Sequence, residues 1–153
     1  MSPTQLLLFA AHCDDGELWA GGTIAKLARS GGRVALAIAH HDDRRRGEAE
    51  ASAELLGCEV RFRGEGTDLF EWVRDCLSEA RPEVLITHPI GDPHFEHDEV
   101  GRAVSRVLTK SRQRREYPRR WYWCDTYHST SPPGLPLLID ISDTFDRKCA
   151  ALE

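Results

Sequence analysis

Short apolar runs alternate along the chain with segments of helical periodicity. Residues 6–11 (Leu-Leu-Leu-Phe-Ala-Ala) and 34–39 (Val-Ala-Leu-Ala-Ile-Ala) are unbroken apolar stretches of strand length. Such runs suit strands covered on both faces, as in a parallel sheet. Residues 83–87 read as a third strong strand and 58–63 as a weaker one with alternating polarity. Residues 121–127 and 137–141 read as two more. Between them the spacing predicts helices over 18–30, 45–56, 69–80 and 98–110, and Ser142 is placed to cap a last one. Gly31-Gly32 and Gly57 stop the first two helices, and Arg81-Pro82 breaks the third. Gly21-Gly22 weakens the first helix by ~1 kcal/mol per glycine. Paired glycines in a first turn imply close backbone packing, against the sheet or a ligand. The arginine-rich stretch 112–120 reads as an exposed loop, and Ser-Pro-Pro-Gly at 131–134 as a turn.

Strand-helix alternation implies an α/β domain with a mainly parallel sheet. Right-handed crossovers then bring all strand carboxyl ends to one edge. Six of the seven histidines (His12, His40, His41, His88, His94 and His97) fall in the loops after the strands at 6–11, 34–39 and 83–87. This convergence on one edge is the main sign of a site.

Two clusters carry candidate chemistry. The first, His12-Cys13-Asp14-Asp15-Gly16-Glu17, follows the first strand; the second, His94-Phe95-Glu96-His97, follows the strand at 83–87. His12, Asp15 and His97 have the donor types of a zinc site, and three protein ligands leave one position open, as catalytic zinc requires. Asp14 is then a candidate general base, and His94 a candidate donor to an oxyanion or a leaving amine. Glu96 could orient one of the histidines from behind. The competing interpretation is that Asp14 or Asp15 only caps the following helix and that the histidines are solvated loop residues. His88, ending a strand, reads as a hydrogen-bonded core histidine rather than a ligand. His40, His41, Asp42 and Asp43 read as the rim of the site. Arg44, Arg45 and Arg46 open the second helix at that rim, where one of them could hold a substrate hydroxyl or an anion.

Composition narrows the classes. The 153 residues suit one domain, with 41% hydrophobic and 29% charged residues and a net charge of -5. The acidic balance gives no reason to expect nucleic acid, despite the arginines of 112–120. No apolar run approaches the ~20 residues needed to span a bilayer, and no basic region precedes the first run, which reads as a strand rather than a signal peptide. Five cysteines without a Cys-x-x-Cys pair argue against a disulfide framework or a cysteine zinc site. The expected compartment is the cytoplasm. There is no GxGxxG or P-loop, so a nucleotide-binding interpretation lacks its phosphate motif. The four tryptophans read as core or interface residues.

Ala11-His12-Cys13-Asp14-Asp15, with Glu17-Leu18 and Gly21-Gly22-Thr23-Ile24-Ala25, resembles the opening motif of the LmbE-like/PIG-L family. Asp92-Pro93-His94-Phe95-Glu96-His97-Asp98 resembles the second motif of that family, and Asp140-Ile141-Ser142 with Phe145, Lys148 and Leu152 is similar to its later strand-helix junction. The resemblance runs over essentially the whole chain. It implies a Rossmann-like three-layer domain acting as a zinc-dependent N-deacetylase on N-acetylglucosamine derivatives. It implies His12, Asp15 and His97 as ligands of one Zn2+ per chain, Asp14 as base, His94 as a stabiliser of the tetrahedral intermediate, and Arg45 as a substrate contact. A different metal-dependent amidase and a non-catalytic metal or sugar binder remain open. The implied partner is a small amino-sugar conjugate, with no nucleic acid or membrane, and a homo-oligomer is compatible.

Three departures from the family pattern carry expectations. Cys13 stands where the family has proline, so a thiol beside the metal is expected to make the protein sensitive to oxidation or thiol reagents. The loops after the strand at 34–39 and around 65–68 are shortened, which alters substrate contacts. The chain stops inside the last helix, so one wall of the pocket is expected to be missing or to come from another subunit.

Overall fold

In the computed structural model, residues 5–111, 118–124 and 137–153 are described. The order of elements is β1 (Gln5–Ala10), α1 (Asp15–Arg29), β2 (Arg33–Ile38), α2 (Asp43–Leu56), β3 (Glu59–Phe62), α3 (Leu69–Ala80), β4 (Val84–Thr87), α4 (Phe95–Ser111), β5 (Arg120–Trp123) and α5 (Phe145–Ala150). The five strands form one parallel sheet in the order β3-β2-β1-β4-β5.

Side-chain alternation explains the layers. Leu7, Phe9 and Ala11 point to one face with Ala35, Ala37 and Ala39; Leu6, Leu8 and Ala10 point to the other with Val34, Leu36 and Ile38. On the first face the small residues of β2 leave room for α3 and α4, which bring Trp72, Val73, Val100 and Val104. Phe9 meets Trp72 edge-to-face, with ring centroids 5.6 Å apart. On the second face α1 and α2 add Ala20, Ile24, Ala49 and Leu56. Burying each large side chain of this kind stabilises the fold by about 1.5–3 kcal/mol. Helices therefore cover both faces of the sheet, giving the expected three-layer α/β architecture. No described helix is long and apolar enough to cross a membrane.

Strand order reverses between β1 and β4, because β2 and β3 lie to one side of β1 and β4 and β5 to the other. A crevice forms outside the carboxyl ends of strands at such a point. The loops carrying His12 and His88 both leave the sheet there.

Four details differ from the sequence expectations. First, α1 begins at Asp15 rather than residue 18, so Gly21-Gly22 lies inside the helix and not in its first turn. The glycines face the C-terminal segment instead of the sheet or a ligand. A Cβ at Gly22 would come within 2.6 Å of Ile141, and one at Gly21 within 3.2 Å of Lys148. Second, α4 starts at Phe95, so Glu96 and His97 sit in a first helical turn rather than in or beside a loop. Third, residues 137–141 are not a strand. Their apolar run includes exposed Leu137, Leu138 and Ile139, and Lys26 Nζ donates to the Asp140 carbonyl, so this stretch lies over α1 and not in the sheet. Fourth, Ser142 opens a short 3-10 turn ahead of α5, and its hydroxyl donates to Asp140 instead of capping the helix. Thr144 ties this segment down by donating to the Gly22 carbonyl at 2.8 Å. The expected turn at 131–134 and most of the arginine-rich stretch lie outside the described residues.

Gly101 sets how closely α4 approaches β4. A Cβ there would lie 2.7 Å from the His88 carbonyl oxygen and 3.1 Å from that of Pro89. Both obstacles are backbone, so the helix itself must move. Gly101→Ala is expected to cost about 1–3 kcal/mol, the usual range for overpacking, measured by chemical denaturation. An unchanged midpoint would contradict the close approach.

Candidate metal centre

Asp15 is the centre of the site. It lies at the first position of α1, 4% exposed, where the helix N-terminus favours negative charge. Its Oδ2 accepts from the His12 backbone N–H at 2.7 Å, which folds the loop after β1 back on itself. Three imidazoles converge on the same carboxylate: His88 Nε2 at 3.1 Å, His97 Nε2 at 3.3 Å and His12 Nδ1 at 3.5 Å. Trp19, one turn along α1, donates its indole N–H at 3.3 Å. Burial alone would raise the Asp15 pKa, but the imidazoles of His12, His88 and His97 around it outweigh burial and hold the carboxyl well below the ordinary range.

The simple capping interpretation fails at both aspartates. Asp14, at the N-cap position of α1, makes no side-chain capping bond. Its carboxylate turns outward, 46% exposed, and pairs with Arg45 Nη2 at 3.1 Å. Asp15 is occupied by the histidines. Adjacent carboxylates thus differ sharply in burial and partners. The true caps lie elsewhere: Asp42 accepts from the Arg45 N–H and Asp68 from the Glu71 N–H.

The histidines pack as a group. His97 stacks on His88 with centroids 3.9 Å apart and on His94 at 4.5 Å, and the His12 ring lies 4.9 Å from His94 and 5.2 Å from His97. The hydrogen bond to Asp15 raises the His12 pKa to about 9. His97 is also raised: burial opposes its charged form, and Asp15 overcomes it. His88, 1% exposed, is lowered by burial.

Glu96 reaches His12, with Oε2 2.6 Å from His12 Nε2. That contact pulls the Glu96 carboxyl below its ordinary value. His40 reaches α4 instead, with Nε2 3.3 Å from Glu99 Oε2. His41 turns away to the Arg63 carbonyl at 2.8 Å. Of the three arginines opening α2, Arg45 borders Asp14, Arg44 is exposed and pairs with Glu48, and Arg46 lies over the Phe62 ring.

Among the described residues, three groups of donor atoms lie close enough together to share one cation: His12, His94 and His97; Asp15, His88 and His97; and His12, Asp14 and Asp15. They overlap, with His12, Asp15 and His97 each in two, although no one of these groups unites all three. A hydrogen-bond conflict supports a cation here. His88 Nε2 accepts the Ala11 backbone N–H at 3.0 Å, so its lone pair is engaged, yet an Asp15 oxygen lies 3.1 Å from the same atom. A positive charge at Asp15 would relieve such crowding of acceptors. Imidazole nitrogen and carboxylate oxygen are donors that zinc accepts, so these residues fit the ion.

Two contributors are not evident from the sequence. Trp19 reads as a core or interface residue, but it donates to Asp15; its position one turn after Asp15 is the available signal. His88 reads as a hydrogen-bonded core histidine, and besides accepting the Ala11 N–H it touches the central carboxylate.

A family model described as PIG-L, GlcNAc-PI de-N-acetylase, matches residues 7–108, two thirds of the chain. The chain belongs to the PIG-L family. Both histidine-acid clusters fall inside the match. Solved structures share the fold of this PIG-L chain at low identity. GalB, the 4-carboxy-2-hydroxymuconate hydratase of Pseudomonas putida KT2440, is 22% identical with a TM-score of 0.75, over 98% of this chain and 78% of that one. The conserved protein TT1542 of Thermus thermophilus is 22% identical with a TM-score of 0.78, over 96% and 76%. The N,N'-diacetylchitobiose deacetylase of Pyrococcus horikoshii is 19% identical with a TM-score of 0.75, over 99% and 69%.

Cys13 stands in the first cluster but does not present an open thiol. It is 3% exposed and packs with Ala10, Ala20 and Leu36 on the α1 face. Burial pushes its pKa up to about 11, and the thiolate is the reactive form. The sensitivity expected from sequence is therefore reversed. Cys13 in the folded protein is expected to resist alkylation and to label only after unfolding, read by mass mapping. Rapid labelling under native conditions would contradict the packing.

Proposed function

We propose that this PIG-L protein is a metal-dependent hydrolase that removes the acetyl group from an N-acetylglucosamine derivative or a related amino-sugar conjugate. One observation carries the reading: a buried carboxylate gathers three imidazoles at the strand-order reversal, while its neighbour Asp14 faces outward beside Arg45. The family match and deacetylases among the structural neighbours support it.

His12, Asp15 and His97 would hold one Zn2+. The bound ion would supply Lewis acidity towards an amide carbonyl and towards water. Asp14 is the general base that takes a proton from the attacking water; its exposed carboxylate beside Arg45 supports this role. His94, exposed and stacked on His97, hydrogen-bonds the developing oxyanion and hands a proton to the departing amine. Glu96 holds the His12 ring. Arg45 lies at the rim beside Asp14, where it can meet a sugar hydroxyl. Acetate and the free amino sugar are the products.

GalB favours a second reading, because a hydratase has the same fold, and fold alone does not fix the reaction. The test is a panel of N-acetylated sugars and conjugates alongside unsaturated hydroxy acids. Free amine and acetate are assayed for the first group and loss of the conjugated double bond for the second. Amine release in step with acetate supports deacetylation. Hydration without amine release would replace it, and bound metal with no turnover would favour a binding protein.

A further inference from the structure

We propose that Asp92 is a positioning residue that fixes the tautomer and orientation of His97; this rests on the reading that His97 gives a nitrogen to the metal.

Asp92 lies in the turn between β4 and α4 and is 7% exposed. Its two oxygens face different partners. Oδ1 accepts the His94 backbone N–H at 2.8 Å. Oδ2 lies 3.5 Å from Nδ1 of His97. That nitrogen is buried and makes no hydrogen bond, whereas Nε2 on the other side of the ring lies 3.3 Å from Asp15. The ring is thus bracketed by two carboxylates, with His88 stacked on it at 3.9 Å. A histidine giving Nε2 to a metal must carry its remaining proton on Nδ1, and a carboxylate beside Nδ1 selects that tautomer. A short rotation of the ring would close the 3.5 Å approach into a hydrogen bond.

The anchoring of Oδ1 makes the proposal sharp. In Asp92→Asn the His94 N–H still needs an acceptor, so the amide oxygen stays on that side and the amide NH2 must face His97. Nδ1 then has to accept, the proton moves to Nε2, and Nε2 loses the lone pair a metal requires. The loop anchor is kept while the tautomer preference is inverted.

The experiment measures zinc affinity by chelator competition for the parent, Asp92→Asn, Asp92→Ser and His97→Ala, with the melting temperature of each chelated protein. Asp92→Asn is expected to bind zinc about 10–100-fold more weakly, the range for partners standing behind a ligand, with the chelated protein melting near the parent. Asp92→Ser can still accept the His94 N–H but does not reach His97, so its loss should fall between parent and Asn. Nitrogen NMR of the zinc-loaded parent should show a slowly exchanging proton on His97 Nδ1 that is lost in Asp92→Asn. If His97→Ala loses zinc while Asp92→Asn or Asp92→Ser binds as the parent does, the proposal for Asp92 is overturned. If His97→Ala binds zinc as tightly as the parent, the reading beneath it is overturned instead.

Discussion

Asp15→Ala is expected to lose at least ~100-fold in zinc affinity, since even partners standing behind a ligand cost about 10–100-fold. Asp15 is buried and is the common neighbour of His12, His88 and His97. Removing it takes the only charged donor out of the proposed set of His12, Asp15 and His97. It also releases the His12 backbone N–H, so the loop after β1 loses the bond that folds it towards α1. Turnover should fall with metal content and should not recover at zinc concentrations that saturate the parent. Metal analysis after gel filtration, with chelator competition for affinity, checks this. Retention of stoichiometric zinc by Asp15→Ala would remove Asp15 from the ligand set.

Asp14→Asn should behave oppositely. Its side chain is half exposed, makes no capping bond and pairs with Arg45, so metal content should stay at the parental level. The amide cannot accept a proton from water, and loss of general-base help lowers rates by about 10²–10⁴-fold. The affinity for substrate should change little, because the base acts mainly in the transition state. Turnover, KM and metal content measured on both aspartate variants decide the assignment. Metal lost from Asp14→Asn and kept in Asp15→Ala would reverse the roles.

The sheet was legible where the chain was apolar throughout. Residues 6–11 and 34–39 are covered on both faces, so no polar residue interrupts them. The stretch 137–141 misled, because its three apolar residues ahead of Asp140 can also form an arm. Here Ile141 seats on Gly22 while Leu137 and Leu138 stay exposed. Helix starts at α1 and α4 fell earlier than expected because each opens with site residues. Asp15 at α1, and Glu96 and His97 at α4, look like loop residues by composition, yet they occupy first helical turns.

Within the site, strand-helix alternation in the sequence implies only that the segments after β1 and β4 share one edge of the sheet. That they are neighbours there depends on the order β3-β2-β1-β4-β5, which the sequence pattern does not carry. The finer partners did not follow. Nothing in spacing says that Asp92 turns one oxygen to the His94 N–H and the other towards His97. Nor could spacing tell that Cys13 packs inward while Asp14, its neighbour, faces the rim.

The central claim is that a metal held at Asp15 makes this chain an N-deacetylase. Its most direct test titrates zinc into chelated protein and follows free amine from N-acetylated sugar conjugates. No amine release is expected before zinc is added, followed by a rise that saturates at one equivalent per chain. Full amide hydrolysis by chelated protein, unchanged on adding zinc, would contradict it.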